Sequence, residues 1–159
     1  MADQEITVEE IFSFWKKIRK SFLNVIDLLD GNDLSFSPRD GLMTLGHLLT
    51  HVAGTYHGWL AGVIKDGAKF KRRTMPCKSV ARARVLFNQA HARLEQYLAG
   101  VRMEDWNKYF SGAFRGEHYD YTLNWVIWHL VEHDIRHRAQ MKMYLTYLDK
   151  KIKGKDFWG

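Results

Sequence analysis

The chain has 159 residues, 46% of them hydrophobic and 26% charged, with two prolines and a formal net charge of +6. That length suits one domain able to bury a full core, so residues 1–159 are read as a single domain. The balance excludes a disordered chain, and no apolar run reaches the roughly 18 residues a membrane span needs.

The acidic, polar start MADQEITVEE lacks the features of a signal or transit peptide. The lone cysteine, Cys77, can form neither an internal disulfide nor a paired-cysteine metal site. A reducing, cytoplasmic setting is therefore expected, with no membrane partner.

The first helix is expected over residues 8–30. Thr7 and Glu10 have the spacing of a capping box. Ile11, Trp15, Ile18, Phe22, Val25 and Leu29 then step by fours and threes along one face, and Gly31 stops the run. Residues 31–41 are rich in turn formers and read as loop. The second helix is expected from Thr44 to Ile64, with its seam at Leu45, Leu49, Val52, Tyr56, Trp59 and Val63. Gly54, Gly58 and Gly62, one turn apart, would let another backbone come close.

Residues 65–78 form a basic connection, long enough for a crossover that frees the second and third helices from being antiparallel neighbours. The third helix is capped by Ser79 and runs through Leu98, with Ala83, Leu86, Ala90, Leu94 and Tyr97 inward and Gly100 as stop. Residues 101–121 show no sustained period and read as a packed loop with a helical turn at Glu104–Tyr109. The fourth helix is expected from Thr122 to Lys150, its seam at Leu123, Ile127, Leu130, Met141, Tyr144 and Leu148. The tail KKIKGKDFWG is expected to fray. No segment alternates as a half-buried strand does. The fold class is all-α: a four-helix bundle with a long crossover between helices 2 and 3.

Eight histidines carry the functional signal. His129, His133 and His137 step by four on the fourth helix, and His47 and His51 do so on the second. Residues four apart share a helix face, so neighbouring imidazoles can converge on one ion, and imidazole suits Zn, Ni, Fe and Cu. At roughly 100° per residue, His137 lies about 40° from its seam centre, His133 about 80° and His129 about 120°. On the second helix His51 lies about 120° from the seam and His47 about 160°. Periodicity thus favours His133 and His137, and His51 over His47. A single helical histidine is ordinarily a surface or hydrogen-bonded core residue, which is how His57, His91 and His118 are read.

The run His133-Asp134-Ile135-Arg136-His137 has the spacing of a zinc-protease motif with Asp in the Glu position. Asp134 lies about 20° from the seam centre, where it could orient an imidazole or act as a base. A protease is disfavoured, because no histidine follows His137 and no strand is at hand for a peptide. A di-iron bundle is disfavoured as well, because no Glu-x-x-His occurs in the chain.

The stretches LGHLLTHVAGTYHGWL (45–60) and WHLVEHDIRHRAQMKMYL (128–145) resemble the DinB-like family of metal-binding four-helix bundles. The matching positions are Leu48-Leu49-Thr50-His51 on the second helix, and His133 and His137 followed by Arg138-Ala139-Gln140 on the fourth. The likeness covers about residues 7–150. It departs at Ala139, where many relatives have Gly, and at Tyr56, where relatives often carry an acidic residue. The resemblance implies one divalent ion (Ni, Zn or Fe) on His51, His133 and His137; Asp134, by its spacing and its place near the seam, is the candidate catalytic group. The resemblance also implies a low-molecular-weight thiol, since characterised relatives include enzymes that use bacillithiol or mycothiol.

The expected function is a metal-dependent transferase that joins such a thiol to a small electrophile. The alternatives are a metal-dependent hydrolase, or a non-enzymatic stress-response or nucleic-acid-binding module that uses the basic stretch Lys65, Lys69, Lys71, Arg72, Arg73, Lys78, Arg82 and Arg84. Nucleic acid is the disfavoured partner, since no helix-turn-helix pattern is present. Trp128, Val131 and Ile135 cluster away from the seam of the fourth helix, and relatives that dimerise favour a homodimer.

Overall fold

The computed structural model describes residues 8, 13–65, 75–114 and 116–154. Thr7, Glu10 and Ile11 of the expected first cap and seam, and Lys69, Lys71, Arg72 and Arg73 of the basic stretch, lie outside them.

Apolar spacing by threes and fours gives α1 (Ser13–Ile26) its inward face of Trp15, Ile18, Phe22 and Val25. The helix ends before residue 30, because the amides of Leu28 and Leu29 turn back to the carbonyls three residues earlier and tighten the last turn. A short 3-10 turn, Asn32–Ser35, follows inside the expected loop. α2 (Leu45–His57) starts where the Thr44 side chain accepts the His47 amide, and it runs on as a π-helical segment, Gly58–Ile64. α3 (Val80–Leu98) is capped by Ser79, as expected, and α4 (Leu123–Tyr147) by Thr122. The tail is held at its start: Lys150 Nζ donates to Asp30 at 2.7 Å and lies 2.8 Å from Asp33.

Cross-helix contacts fix the directions. Gly46 lies against Cys77 and His57 against Arg93, so α2 and α3 run parallel. Arg19 pairs with Glu95 and Arg84 with Asp27, so α1 and α3 are antiparallel. His51, Thr55 and Trp59 meet His137, His133 and His129 in reverse order, so α2 and α4 are antiparallel too. Parallel neighbours cannot be joined by a tight turn, so the long connection between α2 and α3 is a crossover. The bundle has the expected topology.

Gly46 makes a close approach: a Cβ there would stand 2.5 Å from the Cys77 carbonyl oxygen. Gly54 behaves otherwise, since a Cβ there would meet nothing within 4 Å. The close backbone expected along 54, 58 and 62 is therefore absent at Gly54.

Residues 101–121 depart from the expected loop. The helical turn is present, as the 3-10 segment Met103–Asn107, but a hairpin follows it. β1 (Tyr109–Phe114) pairs antiparallel with β2 (Glu117–Thr122) around a two-residue turn whose Gly116 has φ +85°. In β2, His118 and Asp120 are exposed while Tyr119 is buried, a period of two too short to stand out against the polar residues around it. The Tyr119 ring lies on its cross-strand partner Gly112, where any Cβ would fall 2.6 Å from the phenol oxygen.

The core has two apolar layers. One gathers Trp15, Ile18, Leu60, Leu94, Ile127 and Leu130, and the other Phe22, Leu48, Leu49, Val52, Phe87 and Met141. Buried polar side chains lie among them: Ser21, His91 and Asp134. Of the proposed surface patch on α4, Trp128 and Ile135 are exposed, whereas Val131 is buried in the first layer.

Candidate metal centre

The antiparallel pairing of α2 and α4 sets His51 opposite His133 and His137. One nitrogen from each lies within 4.8 Å of the others. The Nε2 atoms of His51 and His133 are 3.1 Å apart. Two nitrogens at about 2.0–2.1 Å from a shared ion, at a tetrahedral angle, stand roughly 3.4 Å apart, so the cluster has the dimensions of a ligand set. His133 and His137 are buried and His51 is exposed, which leaves the cluster open to solvent on the α2 side.

Neighbours hold two of these rings. Gln140 Oε1 lies 2.8 Å from His137 Nδ1, accepting the proton there and leaving the Nε2 lone pair free for an ion. Thr55 Oγ1, one turn after His51, lies 3.3 Å from His133 Nε2. His133 Nδ1 is buried without a hydrogen-bond partner among the described residues. Thr55 had no signal of its own in the sequence, and Gln140 had only its place in the family pattern. Spacing accounts for both: Thr55 stands four residues from His51 and Gln140 three from His137.

Burial, followed by the neighbouring His137 and His51, pushes the His133 pKa down to about 3. Burial lowers His137 as well, against the Gln140 hydrogen bond. Both imidazoles are therefore neutral at pH 7, the form that ligates a metal. The shift also links stability to pH. The unfolded chain takes up a proton at His133 near 6.5, while the folded one resists to about 3, so stability falls as pH drops through that window. Between pH 7 and pH 5 the metal-free protein is expected to lose about 2 kcal/mol through His133, read as a lower urea midpoint. A His133→Gln variant should lose that much less.

His47 and His129 fall outside the cluster. His47 Nδ1 lies 3.3 Å from Thr44 Oγ1 in the first turn of α2. His129 stacks on Trp125 with centroids 5.0 Å apart and planes at 6°. Of the remaining histidines, His57 meets Arg93, His118 is exposed, and His91 is buried in the core.

Asp134 is 0% exposed and faces the core. It accepts a hydrogen bond from the Tyr56 hydroxyl, which in turn accepts one from Trp15 Nε1 at 2.9 Å. His91 Nε2 lies 3.4 Å from the same carboxylate oxygen. Burial and the carboxylate raise the Tyr56 pKa well above its usual value, so the phenol keeps its proton and stays a donor. Tyr56 thus supplies a hydrogen bond to a buried acid. Of the basic stretch, Lys65, Lys78 and Arg82 are exposed and Arg84 pairs with Asp27. Among the described residues no helix is long and apolar enough to cross a membrane.

The profile of the DinB superfamily matches residues 15–141. A search of the curated proteins finds no match. Among solved structures, the chain resembles a DinB-like protein from Bacillus cereus, with a TM-score of 0.75, 20% identity, and coverage of 93% of this chain and 97% of that one. It also resembles a DinB-like protein from Bacillus subtilis, with a TM-score of 0.69, 19% identity, and coverage of 89% and 93%. The helical bundle, the crossover and the histidine cluster that could hold a metal ion agree with the profile match, which spans most of the sequence: the chain belongs to the DinB superfamily.

Proposed function

We propose that the protein is a divalent-metal-dependent transferase that joins a low-molecular-weight thiol to a small electrophile. The observation that carries this is the convergence of His51, His133 and His137 with one side left open to solvent. Three imidazoles suit Ni, Zn or Fe, and an open ligand set is the mark of a catalytic rather than a structural site. An ion held there supplies the charge that keeps a thiol ionised at neutral pH. The chain's own residues do the rest. Gln140 fixes the His137 ring, and the Thr55 hydroxyl, which donates to the His51 carbonyl at 3.0 Å, stands beside His133 Nε2. Asp134 acts from behind, its charge raising the basicity of His137, whereas the hydrogen bond to that ring comes from Gln140.

Cys77 is not the reacting thiol. Its side chain is buried and donates to the Ser79 carbonyl at 3.1 Å, and its amide donates to the Gly46 carbonyl at the start of α2. The thiol is therefore diffusible. The same reading includes a homodimer through Trp128 and Ile135, expected as a two-chain mass in light scattering.

The experiment is consumption of several low-molecular-weight thiols with an activated electrophile, using metal-loaded protein, metal-free protein and His133→Ala. Turnover only in the first sample is expected. Equal rates in all three would overturn the proposal.

A further inference from the structure

A recess opens between α2 and α3, on a side of α2 other than the one that carries the histidine cluster. The two helices run parallel, so Gly54 comes level with Leu86, and His57 with Arg93. The cavity between them measures about 210 Å³ and opens to solvent. Ala53 and Gly54 on α2, with Leu86 and Ala90 on α3, form its apolar walls. The Tyr56 ring lines it too, but the Tyr56 hydroxyl is committed to Asp134.

Gly54 keeps this space open. Glycine inside a helix is destabilising relative to alanine, and a positive φ or a close neighbouring backbone is the usual reason for it. Gly54 has neither: its φ is not positive, and a Cβ there would meet nothing within 4 Å. What a side chain at this position would take up is the recess itself. The rim, by contrast, is polar. Gln89 and Arg93 stand one turn apart on the same edge of α3. Arg93 donates to His57 Nδ1 on the facing helix, since a guanidinium has no acceptor. No acidic residue is among the described residues that line the recess, and Arg93 brings a positive charge at any working pH.

We propose that this recess is a binding site for a small carboxylic acid with a compact apolar body. The body fills the space that a side chain at Gly54 would occupy, against Ala53, Leu86 and Ala90, and the carboxylate meets Arg93 and Gln89 at the rim. Size sets the body: an apolar cavity of about 150 Å³ holds a benzene molecule, so this recess takes one ring with a short arm. Charge sets the head. A carboxylate matches the guanidinium fork, a neutral amide gains less from it, and an ammonium group is repelled. The recess lies between α2 and α3, so the proposal does not depend on an ion held between α2 and α4.

The test is an NMR titration of the full chain, metal-free and zinc-loaded, with phenylacetate and with phenylacetamide, which have the same shape. Phenylacetate should bind with a Kd of about 0.1–1 mM in both states, roughly 10-fold more tightly than the amide. The backbone amides of residues 53–57 and 86–93 should move first. Gly54→Leu should weaken phenylacetate by about 10-fold or more while keeping the helical signal, because leucine fills the recess and is the better helix former. Arg93→Gln, at a half-buried rim position, should remove the preference for the acid and leave the affinity for the amide unchanged. This second variant decides the matter should the first fail to fold. No binding of phenylacetate, equal affinities for the two ligands, or a preference that survives Arg93→Gln would overturn the site. So would binding that Gly54→Leu leaves intact. Binding seen only with zinc, with the shifts centred on His51 and His133, would place the carboxylate at the histidine cluster and overturn it too.

Discussion

Replacing His133 by alanine should lower the affinity for nickel or zinc by more than ~100-fold, with the helical signal retained. The magnitude follows from position. Changes to groups that only support a metal ligand cost about 10–100-fold, and His133 is itself central to the cluster, 3.1 Å from His51 and one turn from His137. His51→Ala and His137→Ala should behave in the same way. His47→Ala and His129→Ala should leave most of the affinity, because one ring rests on Thr44 and the other on Trp125. Calorimetric titration of the metal-free variants checks this directly. Loss of binding in His47→Ala together with full binding in His51→Ala would sink the assignment on α2.

Tyr56→Phe should be among the most destabilising single changes that leave the metal ligands intact. It deletes one oxygen, yet that oxygen is the donor to a fully buried carboxylate whose other oxygen already lacks a partner among the described residues. Uncompensated burial of a charge is expensive, and a loss of about 3 kcal/mol is expected, or roughly 6–12 °C in Tm for a domain of this size. The double variant Tyr56→Phe/Asp134→Leu should recover much of it, because removing both partners leaves no orphaned charge. Thermal unfolding of both variants separates this from simple loss of packing. If Tyr56→Phe alone unfolds within 2 °C of the parent protein, the Asp134 carboxylate finds its stabilisation elsewhere.

Much of the fold was legible because long helices repeat their message. Trp15, Ile18, Phe22 and Val25 on α1, and Leu123, Ile127, Leu130, Met141 and Tyr144 on α4, are buried as their spacing predicts. The caps at Ser79 and Thr122 fall where serine and threonine precede an apolar run. The histidine cluster was legible for the same reason, as a four-residue step read on two helices. The hairpin was not, because six-residue strands offer only two or three alternations, and Gly112 is chosen by a ring on the neighbouring strand rather than by its own neighbours in sequence. Asp134 shows the other limit. Rotation about the helix axis correctly sent it inward, but could not say that Tyr56, 78 residues away, would take its hydrogen bond before any imidazole did. Val131 was placed on the wrong side of the surface boundary because the neighbours that bury it come from other parts of the chain.

The distance in sequence between the two facing imidazoles has a kinetic consequence. His51 and His133 are 82 positions apart, and α3 and the hairpin lie between them. An ion shared across that span acts as a removable cross-link. In the unfolded chain it would have to close a long loop, whose entropic penalty is about 4–5 kcal/mol by the reckoning used for disulfides. His133 and His137 alone, four residues apart, can still capture an ion weakly before the bundle closes. Metal should therefore act mainly on the rate of opening: unfolding slows in proportion to the ion's affinity for the completed triad, while refolding from denaturant proceeds at nearly the metal-free rate.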